Sequence, residues 1–174
     1  MDSKLTVGLS VVLCFVAFGR VFQLYIWPRL LDLPRDAALS LLVAPHMFRF
    51  VGLSFLAPGV VGPTMVPAFA NPAAYGDLAA TVLAVIASFA LTARARWALG
   101  VVWLLNLEGT IDLFFAYYQG VVGIHLPPGS LGATFYIPTV IVPPLLVTHL
   151  AMFRLLLRGP RKIAEANLTS GVPG

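Results

Sequence analysis

Charge and cysteine are what this chain has least of. Only 10% of its 174 residues are Asp, Glu, Lys or Arg, against roughly 25% in an ordinary soluble domain, so a fold that faces water on all sides is excluded. The single cysteine, Cys14, excludes an internal disulfide and any paired-cysteine redox or zinc motif, and its place inside an apolar run reads as a small filler. No GxSxG or SxxK surrounds a serine, and no phosphate-binding glycine loop, HExxH or CxxCH occurs. The usual signatures of serine hydrolases, nucleotide sites, zinc proteases and attached haem are therefore missing. There is no internal repeat, so an inverted-repeat transporter design has no support.

Apolar residues are what the chain has in excess. They make up 59% of it, and the mean hydropathy is +0.92. This composition is that of an integral membrane protein, with the lipid bilayer as its first partner. The net charge of +4 does not point to nucleic acid, because the basic residues lie beside apolar segments and form no stripe interleaved with aromatics.

Crossing a bilayer takes about 20 apolar residues in a helix, and five runs reach that length: Leu5 to Trp27, Leu39 to Val61, Tyr75 to Thr92, Trp97 to Tyr118 and Phe135 to Leu157. Breakers separate them. Trp27-Pro28 and Leu33-Pro34 bound the first connection, Gly62-Pro63 to Asn71-Pro72 fill the second, Ala93 to Arg96 is a tight turn, and Pro127-Pro128-Gly129 mark the fourth. Lys4 before an apolar stretch resembles the start of a secretory signal, but the stretch runs on past Arg20 to Trp27 and reads as a full span. The expected fold is an all-α polytopic bundle of five transmembrane helices in one domain, residues 1–158. A polar, flexible cytoplasmic tail follows over 159–174.

Positive charge orients that bundle. Arg20, Arg29 and Arg35 flank the first connection, Arg94 and Arg96 the third, and Arg154, Arg158, Arg161 and Lys162 the carboxyl end; the opposite side has Lys4 alone. The positive-inside rule then puts the amino terminus outside and the carboxyl terminus in the cytoplasm, which requires an odd number of spans. Trp27, Tyr75, Trp97, Tyr117, Tyr118 and Tyr136 stand near span ends as an aromatic belt. The expected location is a bacterial plasma (inner) membrane. On the cytoplasmic tail, the sequon Asn167-Leu168-Thr169 has no functional meaning.

The residues that carry chemistry are those placed where charge is expensive. Arg49 and Glu108 fall near the middle of two spans that run in the same direction, each roughly 15 to 17 Å deep at α-helical rise. His46 lies three residues before Arg49 and Asp112 four after Glu108, so each pair shares one side of its helix. Asn106 points elsewhere on the fourth span. An Arg49 to Glu108 contact is expected, with Asp112 on the same face. Arg20, Gln23 and His149 are expected near the level of His46 as a second polar layer. Two acids against one arginine leave a charge over, so either one acid is protonated or His46 is cationic.

Glu108, Asp112 and His46 are accordingly the candidates for acid/base chemistry, and Arg49, Asn106, His149, Gln23 and Arg20 for ligand binding. Prolines 45, 58, 143 and 144 free backbone carbonyls that can line a cavity. His46 and His149 on different helices are also a possible pair of axial ligands for haem, and with Glu108 and Asp112 they have metal-ligand chemistry but no recognised spacing. Three readings stay open. One is a polar site that binds a lipophilic or anionic small molecule or relays protons, with acid/base chemistry on a lipid-like substrate as a variant. Another is an accessory subunit whose charges are met by a membrane-protein partner or a second copy. In the third the cluster only locks the helices together. Ala80, Ala84 and Ser88 form a small-residue row on the third span that an accessory subunit would bury against its partner. With no charge between Asp77 and Arg94, that span is expected to be the most lipid-exposed or the least functional.

Overall fold

A computed structural model describes residues 2–158. Within them the chain is helical, without strands; a lone bridge between Pro58 and Val61 closes a turn. Five helices are long and apolar enough to cross a membrane: α1 Ser3–Asp32, α2 Arg35–Leu56, α3 Pro67–Thr92, α4 Ala98–Gly123 and α5 Ile137–Leu157. α2, α3 and α4 pack in succession, while α1 packs against α5 rather than against α2. One rim of the bundle carries the amino terminus, and the other carries the end of α5. The expected tail, with Arg161, Lys162 and the sequon, lies outside the described residues.

α3 differs most from the sequence expectation. It starts at Pro67, not Tyr75, because Pro67 sits in the first turn, where a missing N–H costs nothing, and Pro72 is carried inside the helix. Asn71-Pro72, which looked like a loop, is thus helical. The eight added residues move Asp77 from the end of a span to ten residues inside one.

α2 is wound in two ways. Arg35–Val43 is α-helical, but Ala44–Leu56 is a 3₁₀ helix of 13 residues, far beyond the three or four that are usual. Its buried residues are His46, Arg49, Gly52 and Phe55. That spacing of three is the 3₁₀ repeat, in which side chains three apart eclipse; in an α-helix His46 and Phe55 would face opposite ways. The tighter winding also lengthens the helix. At about 2.0 Å per residue against 1.5 Å, the 22 residues of α2 reach roughly 40 Å, the span of a 26-residue α-helix. α3 and α4 have 26 residues each.

Packing places α3 at the centre. It lies against the 3₁₀ half of α2 on one side and α4 on the other, and Ala73, Ala80, Ala84 and Ala87 let the backbones close up. Only 6% of the most apolar stretch of α1 is buried, against 39% for α3 and 56% for α5, so α1 and not α3 is the most exposed helix. α1 rests on α5, where Cys14 Sγ approaches the Val140 carbonyl at 3.5 Å. π-helical turns occur at Phe22–Ile26, Gln119–Gly123 and Ile137–Ile141; the last is where Pro138 and Pro143-Pro144 deprive α5 of N–H donors.

The interior falls into three layers. One apolar cluster, with Leu39, Leu42, Ala84, Val102, Met152 and Leu155, fills the carboxyl-terminal half. Another, with Phe55, Phe69, Ala73, Leu113, Ile137 and Leu145, fills the amino-terminal half. Polar side chains lie between them. At the carboxyl-terminal rim Arg154 and Arg158 stack over Trp27 at 5.0 and 5.5 Å, and Arg35 Nη2 donates to the Leu156 carbonyl at 2.8 Å.

Candidate functional site

Arg49 is the hub of the polar layer and is 1% exposed. Its Nε donates to Asp77 Oδ1 of α3 at 2.7 Å, its Nη2 to Asp112 Oδ2 of α4 at 2.5 Å and its Nη1 to the Gly109 carbonyl at 3.3 Å. Three glycines make this possible. A Cβ on Gly109 would stand 2.6 Å from Arg49 Nη1 and 2.8 Å from His149 Nε2; one on Gly52 would collide with the Asp77 carboxylate, and one on Gly76 with that of Asp112.

The expected Arg49 to Glu108 contact is not made. Both ion pairs of Arg49 go to aspartates, and Oε2 of Glu108 is buried with no partner among the described residues. Helical winding accounts for much of this. Six residues of 3₁₀ helix from Ala44 carry Arg49 about 3 Å farther along the bundle than α-helical rise would, toward the level of Asp112, one turn beyond Glu108. Asp77 is absent from the sequence-based site because a span starting at Tyr75 leaves it at a helix end. A Gly-Asp pair in the middle of an alanine-rich span was the signal that could have found it.

The second polar layer is half as expected. His46 and His149 meet, with ring centroids 4.1 Å apart and planes at 49°. Arg20 and Gln23 do not join them: both lie exposed on the outside of α1, and Arg20 Nη1 donates to Gln23 Oε1 at 3.4 Å. Asn106, which the sequence pointed elsewhere, is fully buried and joins the layer, its Oδ1 lying 2.7 Å from His149 Nδ1.

With neutral rings and the Asn106 oxygen turned toward His149, these bonds have one consistent assignment of protons. Thr148 Oγ1 gives its proton to the Leu145 carbonyl at 2.8 Å, so in its 3.0 Å bond with His46 Nε2 the histidine donates. His149 Nδ1 likewise donates to the Asn106 oxygen. Each ring is left with an unprotonated nitrogen, His46 Nδ1 and His149 Nε2, and neither has a partner among the described residues.

Two iron ligands on opposite faces of a haem need a porphyrin plane between their rings. His46 and His149 are in direct contact, so the residues do not fit that arrangement. Among the described residues no three His, Cys, Asp or Glu side chains gather as a metal site would require.

Space adjoins the cluster toward the amino-terminal half of the bundle. A cavity of about 40 Å³ is bounded by Asp77, Asp112, Phe55, Phe69 and Tyr117, and Tyr117 donates to the Pro138 carbonyl at 2.5 Å. Next to it lies a cleft of about 490 Å³ lined by α1, α4 and the Pro128 region. Phe69, Ala116, Tyr117 and Pro138 wall both. Lys4 and His125 also line the cleft, toward the amino-terminal rim. In the other direction the apolar cluster of the carboxyl-terminal half closes the bundle.

No curated protein and no solved structure is significantly similar to the chain. A family model does match, over residues 6–157, and its description is a domain of unknown function, DUF8737. The chain belongs to that family.

Proposed function

We propose that this protein binds a lipophilic small molecule inside the membrane, in the cavity beside Asp77 and Asp112, and that the ligand reaches it through the neighbouring cleft. The observation that carries the reading is that the site is complete within one chain. Arg49 is sealed by the chain's own α3 and α4, and the small residues Ala80 and Ala84, which an accessory subunit would offer to a partner, are fully buried inside the bundle. The cleft has the size of small-molecule sites, about 300 to 1,000 Å³, and is apolar with a few convergent polar groups at its end.

A relay of protons across the bilayer has less support, since the polar column ends at His46 and His149 against Leu39, Leu42, Val102 and Met152. An anionic ligand anchored on Arg49 also has less support, because the guanidinium is occupied by two carboxylates. Acid/base chemistry on the ligand would fall to Asp112, one of the two carboxylates at the cavity wall. The arginines of the carboxyl-terminal rim support a plasma membrane orientation with the amino terminus outside, so the cleft would open in the outer half.

The test is mass analysis of what is extracted from protein purified in mild detergent, for the wild type and for Ala116→Phe, which fills the passage shared by cavity and cleft. A lipophilic compound enriched with the wild type and lost from the variant is the expected result. Equal extracts from both would sink the reading in favour of an accessory or structural role.

A further inference from the structure

The side chains that bring ionisable groups to the cavity wall are two acids, Asp77 and Asp112. Three carboxylates, Asp77, Asp112 and Glu108, lie around one guanidinium, and no other Arg or Lys side chain makes an ion pair with them among the described residues. The Arg49 side chain has no exposure at all, while those of Asp77 and Asp112 keep 10% and 13%. A molecule that enters therefore meets carboxylate oxygen and aromatic rings, not the arginine. Phe55, Phe69 and Tyr117 supply those rings, with Phe55 and Phe69 edge to face at 5.5 Å.

Carboxylate with aromatic faces is the chemistry that recognises an organic ammonium: the rings attract a cation through their quadrupoles, and opposite charge is worth most where water is excluded. From the geometry and this charge complementarity we propose that the ligand is an amphiphilic cation, its ammonium head in the cavity beside Asp112 and its apolar body in the cleft. The inference rests on the ligand-site reading above and names the class of ligand.

The sizes agree. A cavity of about 40 Å³ has room for a few waters, each needing roughly 10 to 15 Å³ on the same measure, or for the head group that displaces them. The cleft's 490 Å³ takes the body. An anionic amphiphile would have to anchor on Lys4 instead. Lys4 is exposed, where an ion pair contributes little, and the tail would then end against two carboxylates with nothing to offer them.

The experiment compares three probes with one tail, octyltrimethylammonium, 1-octanol and octanoate, each below its micelle concentration, by calorimetry on the full chain in zwitterionic nanodiscs. The proteins are the wild type, Asp112→Asn and Ala116→Phe. The first keeps the shape beside Arg49 and removes one charge; the second blocks the passage and leaves every charge in place. The expected result is binding of the ammonium by the wild type, weakened at least about tenfold by either variant, with octanol and octanoate much weaker. If octanol or octanoate binds as well as the ammonium, unaffected by Asp112→Asn but lost in Ala116→Phe, the cationic class is wrong and the ligand site stands. Should Ala116→Phe change nothing for any probe, both readings fall.

Discussion

Gly109 leaves Arg49 the room it occupies: a side chain on that residue would begin 2.6 Å from the guanidinium Nη1. Glycine inside a helix ordinarily costs about 1 kcal/mol relative to alanine, so Gly109→Ala would stabilise an ordinary helix. Here the sign reverses. The added methyl strikes Arg49 and His149 together, and overpacking of this kind costs about 1 to 3 kcal/mol. Denaturation of Gly109→Ala in mixed micelles should show a loss, with Gly100→Ala, whose Cβ meets nothing within 4 Å, showing none.

α3 is the packed centre of the bundle and not its lipid-facing edge. Ala84 is fully buried and Phe89, on the same helix, is 73% exposed. Ala84→Leu should cost about 1 to 3 kcal/mol by overpacking, whereas Phe89→Ala should stay within about 0.5 kcal/mol of the wild type. Thermal unfolding in detergent checks both; equal effects would remove α3 from the centre.

The Asn106 amide holds the His149 ring in one tautomer. Asn106→Ala deletes the acceptor of a buried donor and should cost about 1 to 3 kcal/mol. Asn106→Gln cannot present its oxygen at the same place and should rescue little. Imidazole nitrogen resonances in labelled protein should report the lost His149 Nδ1–H bond, with the His46 signals moved less.

The fold class and the five apolar helices were legible because hydropathy over about 20 residues is a strong signal that needs no tertiary knowledge. His46, Arg49, Asp112, Asn106 and His149 were legible as costly polar groups in those runs. Their partners were not. Pairing depends on depth along each helix, and depth was counted at α-helical rise, while the 3₁₀ winding of Ala44–Leu56 moved Arg49 past the level of Glu108. Two prolines hid the start of α3, and Asp77 with it, because Pro67 at a helix start and Pro72 inside the helix look the same in sequence as prolines in a loop. Arg20 and Gln23 fall on the exposed side of α1, a helix whose facing was not readable from its near-uniform apolar sequence.

Which carboxylates Arg49 holds decides which acidic groups are left to face the cavity. Double-mutant cycles settle it, pairing Arg49→Met in turn with Asp77→Asn, Asp112→Asn and Glu108→Gln and reading unfolding free energies in mixed micelles. Removing the arginine alone leaves buried carboxylates uncompensated and should cost about 3 to 5 kcal/mol. Coupling of about 1 kcal/mol or more is expected with each aspartate and a clearly smaller value with Glu108; the largest coupling falling on Glu108, with the aspartates additive, would contradict the pairing of Arg49 with Asp77 and Asp112.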